Sequence, residues 1–270
     1  MKLKNISFNK VFLLGVLGIV LTTGYLLRDK HKISDNSNVS SISQTENDTK
    51  SLRQRRIDSI IGNAKIPYCS GVIYDEDGSK IISFYEENMG RSPDDGKTNK
   101  FVGGFEEFRG GDYDFKTPDV LEWSGKGESI PIFIGRKLFE DQSFQYLTSE
   151  DIRHIVCAHE ATHCKQHAEG FPYITSNELI NGLRDGEIRE MSAYYAFEYD
   201  AYCDDLPRAI NGEFKVSERY LNEKKKMFIQ TGHGLNLAHK TASSLEQKLI
   251  EGALEKDADI PELRDISAKY

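Results

Sequence analysis

The residues from Leu147 to Pro172 constrain this chain more tightly than any other stretch. Thr148 followed by Ser149, Glu150 and Asp151 has the chemistry of a helix start. The hydroxyl accepts from an unpaired N–H, and the acidic groups suit the positive end of the helix dipole. Gly170 and Pro172 stop the run. The helix predicted between them, over about 149–168, carries Ile152, Ile155 and Val156 at i, i+3 and i+4, an apolar stripe that has to be buried. His159 and His163 continue this stripe and therefore face the core side.

Between them the chain reads His159-Glu160-Ala161-Thr162-His163, an H-E-x-x-H pattern. Residues four apart on an α-helix differ by about 40° in direction, so both imidazoles leave one face, one turn apart. Two nitrogens so placed suit a zinc ion held at about 2.0–2.1 Å from each. Glu160 lies about 100° round the helix from His159, beside such an ion and not on it. It is the expected catalytic residue, taking a proton from zinc-activated water and passing it to a leaving amine. His154 points about 140° away from His159 on α-helical geometry and is not assigned as a ligand. His167 is read as a histidine interacting with the dipole at the helix end.

A catalytic zinc needs a third protein ligand and an open position. A second helix, predicted over 185–203 and ended by Pro207, places Glu187, Glu190, Tyr194, Phe197, Glu198 and Ala201 along one stripe. A carboxylate there is costly to bury unless it is paired or metal-bound. Glu190 is the expected third ligand, because Ala193 three residues on is small enough for the motif helix to approach. Glu187 and Glu198 follow it, and Glu169 is a further alternative. His233, Tyr194 and Tyr195 are candidates for stabilising an oxyanion.

Further helices are predicted over 217–231 and 242–254, with a turn at Thr231-Gly-His-Gly234. On the N-terminal side, Val72–Tyr74 and Ile81–Tyr85 around Asp75–Gly78 read as a β-hairpin. Ile130–Gly135 reads as a short strand, placed at a sheet edge by Pro131. Arg136–Glu140 reads as a helical turn, and 88–128 as mostly loop. The fold class is α+β: a mainly helical catalytic part with a small mixed or antiparallel sheet at its N-terminal side.

These segments resemble the gluzincins, zinc peptidases that combine H-E-x-x-H with a glutamate ligand on a later helix. Ile132–Gly135, Leu147–Ile152 and Ala158–His163 are similar to their strand, linker and active-site helix, and Glu190-Met-Ser-Ala193 to their third-ligand motif. The resemblance covers about 130–203. It implies a zincin-like fold, a zinc cofactor, and an edge strand over the cleft that pairs with extended substrate. Where some members carry an aspartate after the ligand glutamate, this chain has Tyr194, so another group must hold one histidine.

Lys2, Lys4 and Lys10 precede an apolar run from Val11 to Leu27 closed by Arg28, Lys30 and Lys32. Residues 1–32 therefore read as an export signal or N-terminal membrane anchor. Residues 33–56 are rich in Ser, Asn, Asp and Thr and read as a disordered linker, leaving 57–270 as the metallopeptidase domain. The short basic run Arg53–Arg56 reads as a solvated linker edge. The expected location is extracytoplasmic, secreted or anchored, with the membrane met only through that first segment. A net charge of −8 argues against a nucleic-acid partner, which needs a basic face. Cys69, Cys157, Cys164 and Cys203 allow up to two disulfides in an exported chain. Cys157 and Cys164, about 10 Å apart along one helix, cannot pair with each other.

The function expected is a zinc metallopeptidase acting on a protein or peptide substrate. The rival readings are a non-enzymatic binding or adhesion protein with the same fold, and a zinc amidase acting on a non-protein amide. The intact Glu160 separates enzyme from structural site, since a purely structural site has no use for that carboxylate.

Overall fold

A computed structural model of the chain describes residues 52–89, 115–116 and 127–267. The expected export segment, most of the expected linker and most of the 88–128 loop region lie outside the described residues. Among those described, no helix is long and apolar enough to cross a membrane.

The chain is helical from residue 52, five residues before the expected start of the domain. Helix α1 (52–61) buries Ile57 and Ile61, one turn apart on one face. Arg53, a turn before Ile57, donates to the Tyr74 hydroxyl at 2.6 Å and pairs with Glu76 and Glu140, each at 3.0 Å. At Arg53 the expected solvated linker edge is thus part of an amphipathic helix docked on the sheet.

Strand β1 (Cys69–Asp75) leads into helix α2 (Ser79–Met89), where the second arm of a hairpin was expected. The acidic turn explains the difference. Buried Asp75 accepts from the backbone N–H of Lys80 and Ile81 at 3.3 and 3.0 Å, and Asp77 accepts from that of Ser79 at 3.1 Å. These carboxylates satisfy the first N–H groups of a helix, and Ile81 is buried from that helix.

Strands β2 (Phe115–Lys116) and β3 (Ile130–Gly135) complete a sheet of order β1-β3-β2. The main pair, β1 with β3, is parallel, with Val72 opposite Ile132 and Tyr74 opposite Ile134. β2 joins β3 antiparallel. β3 is therefore central, not an edge, and all six of its residues are buried. Pro131 is accommodated because the register slips between Cys69 and Gly71, its ladder partner, so the residue without an N–H sits at an irregularity.

After β3 come α3 (Lys137–Glu140) and α4 (Ser149–His154), the latter opened by Thr148 in a capping box with Asp151. A π-helical turn, Ile155–His159, joins α4 to α5 (Glu160–Glu169), which ends at Gly170 with φ 74°. Helix α6 (Ser176–Asp185) precedes α7 (Glu190–Ile210), so the predicted 185–203 helix starts later and runs on through Pro207. Helix α8 (Glu218–His239) passes straight through the glycines expected to form a turn. A Cβ at Gly232 would meet the Tyr199 ring at 2.9 Å, and one at Gly234 the Tyr195 ring at 2.7 Å. The glycines serve close approach of α8 to α7. Helices α9 (Ser244–Glu255) and α10 (Pro261–Ser267) finish the bundle.

Two apolar cores result. One gathers Ile57, the sheet, Ile152, Val156 and Cys164. The other gathers α6 to α10 around Tyr202, Phe228 and Leu249. The α4–α5 segment contributes to the first and α7 to the second, and they pack on each other at the motif.

Candidate metal centre

The π turn sets the geometry of the motif. The Glu160 N–H bonds to the Ile155 carbonyl, so residues five apart lie over one another in place of residues four apart. His154 is thereby brought towards the side of His159, against the α-helical expectation. Its Nε2 lies 3.1 Å from the Asp205 carbonyl and its Nδ1 2.8 Å from the Tyr220 hydroxyl. His159 turns its Nδ1 to the Asp205 carboxylate at 2.8 Å. Both rings are anchored to the same residue of α7.

His163 is held from the other direction. Its Nδ1 lies 2.7 Å from Gln166 Oε1, and the Gln166 amide donates to Asp200 at 2.8 Å and to the Phe197 carbonyl at 3.0 Å. With each Nδ1 engaged, the two Nε2 atoms face Glu198. They lie 3.3 Å (His159) and 3.7 Å (His163) from its carboxylate oxygens. His159, His163 and Glu198 offer one donor atom each, all within 4.8 Å of one another. Two imidazoles and one carboxylate so gathered can hold a metal ion. Their side chains are 7%, 12% and 19% exposed, so the group opens to solvent mainly on the Glu198 side.

Buried charge surrounds the group. Burial alone would raise Glu198, but the hydrogen bond from His159 and the charges of His159, His163 and Lys224 hold it down to about 2. Burial and Lys224 push His159 down, and Asp205 with Glu198 override them, lifting it to about 9. Burial would likewise raise Asp205, but Lys224, 3.3 Å away, and His159 pull it well below the usual carboxylate range.

Of the residues expected at the site, His159 and His163 come together and Glu160, 7% exposed, begins α5 beside them. Glu190 does not join them. It is the first residue of α7, exposed, and eight residues from Glu198, which is about 12 Å along a helix axis. Glu198 occupies the place expected of Glu190. Ala201, three residues after Glu198, is as small as Ala193, so the small-neighbour signal fitted both. Asp205 was not anticipated. Its signal is a carboxylate seven residues after Glu198, two turns on along the same face, with Tyr202 between them, its ring centroid 5.0 Å from that of His159 and tilted by 35°. It supplies the support for a histidine that Tyr194 cannot.

Glu169 is exposed at the end of α5 and accepts from the Tyr68 hydroxyl at 2.8 Å, and Glu187 is exposed ahead of α7. His167 is fully buried in the last turn of α5. His233 is exposed on α8, and Tyr195 packs against Gly234. Tyr194, 43% exposed, lies one turn before Glu198 on α7. No family model, curated protein or solved structure matches the chain.

Proposed function

We propose that the chain is a zinc-dependent peptidase, with His159, His163 and Glu198 holding the ion and Glu160 as general base. The observation that carries this reading is the convergence of two Nε2 atoms on one carboxylate while both Nδ1 atoms are engaged elsewhere. An imidazole whose Nδ1–H donates to a carboxylate or amide oxygen keeps that proton when a metal binds, so the metal displaces the proton on Nε2 and takes the lone pair it leaves. Two histidines and a glutamate match the donor set of catalytic zinc sites, whereas closed structural sites use four protein ligands.

Zinc, when bound, supplies a Lewis acid that lowers the pKa of water and polarises a carbonyl. Glu160 supplies the proton transfers: its carboxylate accepts a proton from the attacking water and delivers it to the departing amine nitrogen. Asp205 and Gln166 fix the two rings so that neither has to reorganise during turnover. The proposed ligand register keeps the gluzincin plan of a glutamate from a later helix, moved two turns along α7. The expected strand pairing with substrate is not retained for β3, whose Phe133 and Ile134 are paired to β1 on one side and β2 on the other.

Glu160→Gln tests the reading. The amide cannot take the proton, so the variant should keep its zinc and its fold and lose at least a hundredfold in peptide turnover, in line with the ~10²–10⁴ range for a general base. Undiminished turnover in a zinc-loaded Glu160→Gln protein would move the chemistry elsewhere.

A further inference from the structure

The four cysteines are unbonded and unevenly distributed. Cys203 is buried on α7 in the C-terminal core, while Cys69, Cys157 and Cys164 belong to the core around the sheet. Cys69 opens β1 opposite Ile130 in the ladder, and the Cys164 sulfur, arriving from α5, lies 4.0 Å from the carbonyl of that same Ile130. Both thiols thus border Ile130, Cys69 from the neighbouring strand and Cys164 from α5, and the Cys69 thiol donates to the Gly71 carbonyl at 3.3 Å. Cys157 faces the same core but lies seven residues before Cys164, too far along the helix to bond with it.

We propose that Cys69 and Cys164 are a disulfide pair, which on oxidation ties the first residue of β1 to the metal-binding helix immediately after His163. The oxidant is a second disulfide, either oxidised glutathione or an oxidised dithiol protein. Cys69, the partly exposed member, attacks one sulfur of that disulfide and expels the other as a thiolate. Cys164 then displaces the remaining half as a second thiol. The chain gives up two electrons and two protons, and the incoming disulfide takes up both. Neither sulfur touches the proposed ion, so the bond is independent of the reading of the site as a peptidase.

Peptide mapping of the full wild-type chain tests this. The protein is incubated with oxidised glutathione, its remaining thiols are alkylated, and it is digested with trypsin without reduction. The expected product joins 66–80 to 154–165, and its fragment ions place the bond on Cys164, not on Cys157, which shares that peptide. A Cys157→Ser protein should give the same cross-link. Four alkylated cysteines after oxidation, fragment ions placing the bond on Cys157, or a cross-link to the peptide carrying Cys203 would each overturn the pairing. The mapping uses the wild-type chain, so it does not depend on a variant folding.

Discussion

Lys224 and Asp205 are both nearly devoid of solvent contact, and a buried charge persists only where another offsets it. Asp205 does so for Lys224 while also anchoring His159 and, through its carbonyl, His154. Replacing its carboxylate leaves an ammonium uncompensated inside the protein. Asp205→Asn should cost about 3–5 kcal/mol of stability, read from urea unfolding. It should also weaken metal affinity by roughly 10–100-fold, as loss of a group behind a ligating histidine does. Unchanged stability and affinity together would remove Asp205 from the support of the site. The meeting of the two histidines was legible in the sequence because helix, cap and stripe agree on their face. The carboxylate that joins them was not, since Glu190 and Glu198 share a stripe and each has an alanine three residues on. Only the packing of α7 across α5 chooses between them.

Among the elements, the helices with clear caps and stops were legible and those depending on tertiary contact were not. Thr148 and Gly170 bound the α4–α5 segment as expected, but the π turn inside it has no signature in the residue types. The Ile81–Tyr85 run looks like a strand by side-chain type and is a helix because Asp75 and Asp77 cap it. Thr148→Ala should therefore cost about 1 kcal/mol, the usual worth of an N-cap, measured by thermal or denaturant unfolding. No change would show that Asp151, which also accepts from the Ser217 backbone and hydroxyl, secures this helix end without the threonine. Gly252 gives a sharper test of helix packing, because a Cβ there would collide with Cβ and Cγ of Tyr173, atoms near the backbone that cannot swing away. Gly252→Ala should lose about 1–3 kcal/mol by overpacking, despite the better helix propensity of alanine. A gain in stability would mean that α9 and the 171–174 segment separate more readily than their packing indicates.

On the scale of the whole molecule, the proposed metal centre joins two separately built cores. The histidines come from the segment that packs on the sheet, and Glu198 and Asp205 from the helix at the centre of the C-terminal bundle. An ion held by both segments would bind the folded chain and not the unfolded one, so zinc at about a hundredfold over its Kd should add about 2.7 kcal/mol of stability. Strands β1 and β3 and the helical majority after them were legible from residue patterns, within an α+β class, whereas helix α2 and strand β2 were not. The parallel β1–β3 pairing was not, because sequence alone places no partner beside a short buried strand. The central claim is that His159, His163 and Glu198 form one metal site, and metal content after zinc loading and dialysis measures it most directly. Wild type and Glu190→Gln should each retain one zinc per chain, and Glu198→Gln should lose most of it while staying folded by circular dichroism. Zinc retained in full by Glu198→Gln, or lost from Glu190→Gln, would contradict the account.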